Sequence, residues 1–418
     1  MDGCVQPGLL PVHEALARII GALKPITVTE NIALADSLDR VLAENIVAPI
    51  NVPGGDNSAM DGYALRHCDA RQELNVIGNA FAGHPFFGEI GAGQAVRIMT
   101  GGLVPVGADT VVMQENVTRN GNKILINTIP DIGENIRRAG EDIALGSLVL
   151  STGHLLSALD IGLLASLGIN RLNVFRRIKI ALLTTGDELL VPGAAYQAGK
   201  IYDSNRPLLQ ALLTRLPVEV HDLGIVPDNP HALRTAFLAA QQFADIVIST
   251  GGVSVGDADY TKDILAELGE INFWKIAMKP GKPFAFGLLG KNESGNALRT
   301  TGCWFCGLPG NPVSTAVTYH QLVVPAVRYL AGENPGEPLV IKAIAAKTLK
   351  KQPGRLDFQR GIFSANNGIN VVSSAGLQSS GVLSGMAKAN CYIRVEAERG
   401  TVAEGDMVDV ILFDRFIR

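Results

Sequence analysis

Apolar residues recur at helical spacing from Val12 to Leu23, and Gly21 and Pro25 close that run, which predicts an amphipathic helix. A second helix is announced by Ser157 as its N-cap, Asp160 three residues on, and Gly168 past its end. Between the two, from Pro49 to Gly153, Gly and Pro are dense and the apolar runs are short. Ala95–Met99, Thr110–Met113 and Lys123–Asn127 read there as strands joined by turns.

The pattern changes at Arg177. Strands over Ile178–Leu183, Val218–Gly224 and Asp245–Ser249 alternate with helices over Arg206–Arg215, Pro230–Gln242 and Asp259–Leu268. Extended runs follow at Glu270–Ala277 and Pro283–Leu288, and then a long helix from Pro312 to about Leu330. Such alternation predicts an open, mostly parallel sheet, with ligands at the carboxyl ends of its strands. Pro335 and Pro338 mark a linker, and beyond it only strand-like runs are expected, with Asn367-Gly368 as a hairpin turn between Phe358–Phe363 and Ile369–Ser373.

The expected architecture is therefore multidomain α/β and β. A mostly parallel α/β sheet domain spans 177–331, a mostly β insertion spans 49–149, residues 1–48 with 150–176 form a small helical domain, and a β domain spans 335–418.

Composition narrows the function. With 418 residues, 47% hydrophobic and 18% charged, the chain can bury several cores. A net charge of −4 offers no broad basic face for nucleic acid. No apolar run reaches membrane-spanning length, and Met-Asp-Gly-Cys at the start lacks the basic and apolar pattern of a signal peptide. Five cysteines fit a reducing cytoplasm with free thiols.

Three loops fall where the sheet would place a ligand. Thr184-Thr185-Gly186-Asp187-Glu188 follows the first strand, and its two acids suit a metal, an oriented water or simply a capped turn. In Ser249–Tyr260, Gly251, Gly252 and Gly256 let backbone N–H groups approach an anion, while Asp257 and Asp259 suit Mg²⁺ bridging to phosphate or a plain helix cap. In Leu308-Pro309-Gly310-Asn311-Pro312-Val313-Ser314, Asn311 reads as an N-cap, and free N–H groups with the Ser314 hydroxyl would form an oxyanion seat. Lys275 and Lys279 share a face, and Pro and Gly around them argue for fixed ammonium groups beside a cleft. A helix N-terminus contributes only about 0.3–1 kcal/mol toward an exposed anion, whereas millimolar binding takes about 4 kcal/mol. The lysines or Arg355 must share that task.

Other motifs fail. Gly193–Lys200 has one residue too many for a phosphate-cradling Walker loop, and Ile201 stands where Ser or Thr is required. Cys303-Trp304-Phe305-Cys306 lacks a second pair and reads as a buried strand, and the seven His show no metal-ligand spacing.

Taken together, Asp56–Ala64, Ile98–Gly101, Gly140–Asp142, Thr185–Leu189, Tyr202–Arg206, Gly251–Gly256, Lys279–Pro283, Leu308–Ser314 and Gly354–Phe358 resemble the molybdopterin molybdenumtransferases, a family that includes the E domain of gephyrin. The matches run in the family's order from about residue 11 to 410. The resemblance implies four domains, with an α/β part of the molybdenum-cofactor-binding type, a C-terminal β-barrel and an elongated homodimer. It also implies a cytoplasmic, Mg²⁺-dependent transferase that takes adenylated molybdopterin and molybdate to molybdenum cofactor and AMP.

By the same resemblance Asp61, Thr100 and Asp142 act in trans on a site containing Glu188, Asp228, Asp259, Lys275 and Lys279. Glu188, Asp257 and Asp259 would hold Mg²⁺; Gly251, Gly252, Ser254 and Gly256 would cradle phosphate. Asn205, Pro309, Gly310, Asn311, Ser314 and Arg355 complete the substrate-binding set. The competing readings are a nucleotide-pyrophosphate hydrolase, which has no use for the insertion or for Lys279, and a partner-clustering scaffold, which has no use for the acids and lysines.

Overall fold

The computed structural model describes residues 8–252, 260–290, 302–334, 336 and 338–414. The chain divides into two compact units: residues 1–30, 39–43 and 174–418, and residues 31–38 and 44–173. The helix Val12–Ala22 belongs to the first unit, and the helix Ala158–Ser166 to the second.

In the first unit six strands form one sheet: β1 (Ile178–Thr185), β2 (Val218–Val226), β3 (Ile246–Thr250), β4 (Gly269–Lys275), β5 (Pro283–Leu289) and β6 (Cys303–Leu308), in the order β2-β1-β3-β6-β5-β4. The β2, β1, β3 and β6 strands run parallel, and β5 and β4 add an antiparallel edge. Strand β6 is the Cys303–Cys306 segment, whose buried apolar run pairs along β3 from Ile246↔Trp304 to Thr250↔Leu308.

Helices Asn205–Leu213, Pro230–Ala240 and Tyr260–Leu268 fill the crossovers. Leu233, Phe237, Ile264 and Leu265 pack on one sheet face against Ala181, Leu183, Val247 and Phe305. The alternate residues Ile180, Leu182 and Ile248 are buried as well, as a sheet covered on both faces requires. The predicted helix after Leu308 is continuous from Pro312 to Leu330, with a π-helical stretch at Tyr319–Val323.

The C-terminal strands Val340–Ala345, Leu356–Asn366, Ile369–Ser374, Cys391–Val395 and Met407–Leu412 close into a barrel, because Leu356–Asn366 pairs with both Ile369–Ser374 and Cys391–Val395. Asn367 (φ 50°) and Gly368 (φ 78°) form the predicted hairpin turn, both central residues being left-handed. The expectation of strands alone is corrected by the helix Leu383–Lys388. Its short length and its Ser and Gly leave no periodic apolar face in the sequence; packing of Met386 and Gly385 in the folded chain forms it.

The second unit contains a six-stranded sheet in the order Thr110–Met113, Gly62–Leu65, Gln94–Ile98, Leu74–Ala80, Lys123–Ile126, Val117–Asn120. The helix Ala158–Ser166 opens with the predicted capping box: the Ser157 hydroxyl accepts from the Asp160 N–H, and the Asp160 carboxylate accepts from the Ser157 N–H at 2.8 Å.

Candidate functional site

Strand order turns from β2 to β3 on either side of β1, so the carboxyl ends of β1 and β3 flank a topological switch point, where open α/β sheets leave a crevice. The loops leaving these strands are Gly186-Asp187-Glu188 and Gly251-Gly252. Gly251 sits at φ +90°, and a Cβ there would meet the Thr185 carbonyl oxygen at 2.4 Å, so only glycine lets the two loops lie this close. Ser254, Gly256, Asp257 and Asp259 lie outside the described residues.

At the β2 end the Asp228 N–H donates to the Asp187 carboxylate at 3.1 Å. Loss of water around Asp228, then the nearby charges of Asp187 and Glu188, push its pKa above the usual carboxylate range. Three acids therefore crowd one edge of the crevice. Among the described residues, no three His, Cys, Asp or Glu side chains are arranged as a metal-ligand group.

The β6 loop is tied to the same end of the sheet by Asn205. Its side-chain nitrogen donates at 2.7 Å to both the Thr250 hydroxyl and the Gly310 carbonyl. The Thr315 hydroxyl donates to the Pro309 carbonyl at 2.5 Å, closing the turn from within. Asn205 is buried, and among the described residues its Oδ1 has no hydrogen-bond partner. Asn311 precedes the helix as expected, but its side chain makes no capping hydrogen bond. The predicted seat of free N–H groups is also reduced, because the Val313 N–H donates to the Ser380 carbonyl at 3.1 Å. Ser314 itself is buried.

Lys275 ends β4, and Lys279 follows on a short strand, Met278–Lys279, that pairs in parallel with Leu356–Asp357 of the barrel. This brings the Lys279–Pro283 motif beside the Gly354–Phe358 motif, with Arg355 immediately before the paired residues. Gly281, at φ +100°, packs so tightly that a Cβ would lie 2.5 Å from the Thr318 hydroxyl. The lysine loop is thereby seated on the helix that carries Ser314. Sequence reading did not single out Asp357, whose carboxylate lies 3.9 Å from the Lys279 ammonium, although it stands inside a quoted motif. Nor did it single out Arg360, whose guanidinium holds the Leu377 and Ser379 carbonyls at 3.0 Å and so fixes the turn that reaches Val313.

In the second unit, Asp61 accepts from the Thr100 N–H and hydroxyl, both at 2.8 Å. Those two hydrogen bonds hold its pKa below the usual carboxylate range. Ser58 and Gly101–Gly102 exchange backbone hydrogen bonds, joining the Asp61 loop to the Thr100 loop. The Asp56 carboxylate pairs with Arg138 at 2.6 Å and accepts from the Ala139 N–H, which brings the turn before Asp142 against the same loop. Asp142 is exposed, with its N–H on the Val52 carbonyl.

Residues 10–168 match the MoeA N-terminal region (domain I and II), 181–329 a probable molybdopterin binding domain, and 342–413 the MoeA C-terminal region (domain IV). A molybdopterin molybdenumtransferase of Haemophilus influenzae is 47% identical over 98% of this chain and 100% of its own length. The chain belongs to the molybdopterin molybdenumtransferase family. A second member, from Nostoc, is 37% identical over 92% of this chain and 88% of its own. The family's fold is seen in a crystal structure of a molybdopterin biosynthesis moeA protein from Pyrococcus horikoshii, with a TM-score of 0.82 at 29% identity, covering 97% of this chain and 100% of that one. Among the described residues no helix is long and apolar enough to cross a membrane.

Proposed function

We propose that this chain is a transferase that inserts molybdate into adenylated molybdopterin, releasing AMP and leaving molybdenum cofactor. The observation that carries this reading is the convergence at one end of one sheet of acids (Asp187, Glu188, Asp228), backbone-lined loops (Gly251-Gly252 and Pro309-Gly310) and the Lys279 loop. Gly251 and Gly252, with Ser254 and Gly256 beyond them, would cradle the phosphates; Asn205, Pro309, Gly310 and Asn311 would set the floor on which the nucleotide lies.

Lys275, Lys279, Ser314 and Arg355 would hold molybdate beside the dithiolene sulfurs, replacing a bimolecular encounter by positioning. The acidic crowding around Asp228 suits a divalent cation, which Glu188 would hold with Asp257 and Asp259. Magnesium held there would offset charge building on the pyrophosphate as its bond breaks. The chain would act in the cytoplasm as a homodimer, Asp61, Thr100 and Asp142 of one subunit completing the crevice of the other.

The test is AMP release from adenylated molybdopterin with and without molybdate. Acceleration by molybdate, lost in a folded Lys279→Ala protein, supports the transferase. Release indifferent to molybdate makes it a pyrophosphate hydrolase, and absence of release makes it a binding scaffold; either outcome overturns the reading.

A further inference from the structure

We propose that Asp357 is the positioning residue of Lys279: a buried barrel carboxylate that aims the ammonium into the crevice without neutralising it by direct contact. The inference rests on the reading of Lys279 as an oxyanion-binding group and adds the residue that fixes where its charge stands.

The pairing is built into the backbone. Met278–Lys279 runs parallel to Leu356–Asp357 in the register Lys279↔Asp357, anchored by the Leu356 N–H on the Ala277 carbonyl at 2.9 Å. Paired residues of parallel strands project on the same face of a sheet, so the register alone places the two side chains together. Their exposures then divide the roles: the Asp357 side chain is 5% exposed and that of Lys279 46%. A sunken anion lies beneath a half-exposed cation on a flexible four-carbon stem. The 3.9 Å separation is long for a hydrogen bond, so the field of the carboxylate steers the ammonium and, among the described residues, leaves its donors to an incoming oxyanion.

The carboxylate is itself held from behind. The Gln359 amide nitrogen donates to it at 3.2 Å and to the Lys350 carbonyl at 3.1 Å. Lys351 is buried, with its ammonium fixed on the Gln352, Ala397 and Arg399 carbonyls at 3.3, 3.2 and 2.7 Å. Burial pushes the Asp357 carboxyl up, and the charges of Lys279, Lys351 and Arg360 pull it back toward the ionised form. Three cations therefore act on one carboxylate. Glu396 and Glu398 act in turn on Lys351, and Lys279 is the half-exposed cation beside the buried carboxylate. An oxyanion is the ligand class that a half-exposed ammonium takes.

The test uses Asp357→Asn, which keeps the shape and removes the charge, in the full-length protein. Two readouts are taken: molybdate-dependent AMP release, and the rate at which Lys279 is reductively methylated, followed by peptide mass spectrometry. Without the buried anion beneath it the Lys279 side chain is less restrained and more open to reagent, so Lys279 is methylated faster in the variant. The kcat/KM for molybdate falls on the order of tenfold to a hundredfold, while KM for the adenylated pterin stays within about twofold. Unchanged methylation of Lys279, or a loss that falls equally on pterin and molybdate, overturns the proposal. The labelling needs no turnover. A protein whose AMP release ignores molybdate but whose Lys279 still responds to Asp357→Asn would refute the transferase reading and leave this pair standing. If Asp357→Asn does not fold, Gln359→Leu loosens the same carboxylate; faster Lys279 methylation is again expected, and an unaltered rate counts against the assignment.

Discussion

The Asn205 side-chain nitrogen donates to the Gly310 carbonyl at 2.7 Å, joining two loops that lie 105 residues apart in the chain. The same nitrogen donates to the Thr250 hydroxyl at 2.7 Å, so one amide pins the β3 and β6 ends together on the floor of the crevice. Losing the donor removes the tie to the Gly310 carbonyl and leaves the buried Thr250 hydroxyl only its 3.4 Å contact with the Pro309 carbonyl. Asn205→Leu is expected to cost about 1–3 kcal/mol of stability, read as a lower urea midpoint. It should also lower AMP release by more than the unfolded fraction accounts for.

Gly281 carries the second prediction. At φ +100° a side chain is strained, and a Cβ would also meet the Thr318 hydroxyl at 2.5 Å and the Met278 side chain at 2.7 Å. Gly281→Ala therefore shifts the lysine loop away from its helix. The expected result is a loss of about 1–3 kcal/mol in stability, together with a raised KM for molybdate measured in the AMP-release assay.

Asp228 sets a pH-dependent expectation. Its folded-state pKa is raised, so the folded protein binds this proton more readily than the unfolded chain, and stability falls as pH rises through the folded pKa. Asp228→Asn should thus raise the melting temperature at neutral pH, and the gain should vanish once the medium is acidic enough to protonate Asp228 in both states. A divalent cation at this edge acts in the same direction. Magnesium is expected to raise the melting temperature of the wild type and to do so less in Glu188→Gln, as scanning calorimetry at matched ionic strength would register.

Asp61 behaves in the opposite sense. Its pKa is lowered by the two Thr100 hydrogen bonds, so the contact is present above the unfolded-state pKa and is lost only as pH falls through the depressed folded value. The Asp61–Thr100 contact therefore weakens only on the acid side of the usual carboxylate range. Asp61→Asn is expected to leave the thermal transition nearly unchanged, because the pair is exposed. If the proposed trans role holds, the same variant slows AMP release; wild-type rates in it would remove Asp61 from the site.

Much of the fold was legible because its signals are local. The Ser157/Asp160 capping box, the Asn367-Gly368 turn and the strand–helix alternation after Arg177 each depend on residues within one turn or one strand of one another. The helix Leu383–Lys388 escaped because a six-residue helix shows too little periodicity to separate it from a turn. At Asn311–Ser314 the expected set of free N–H groups loses one member, Val313, for a different reason. The carbonyl that takes its N–H belongs to Ser380, a distant residue in the barrel.

The sequence by itself determined which loops hold glycine, acid and lysine, and that these fall at strand ends, since backbone preference and the two periodicities are properties of neighbouring residues. Only the tertiary structure decided which loops meet. Asn205 reaches Gly310, Lys279 stands over Asp357 and Arg360 fixes the turn beside Val313 because strand order and barrel closure bring them there. A hydrogen bond or ion pair acts over a few ångströms of space, whatever length of chain lies between its partners, and no pattern of neighbours encodes that distance.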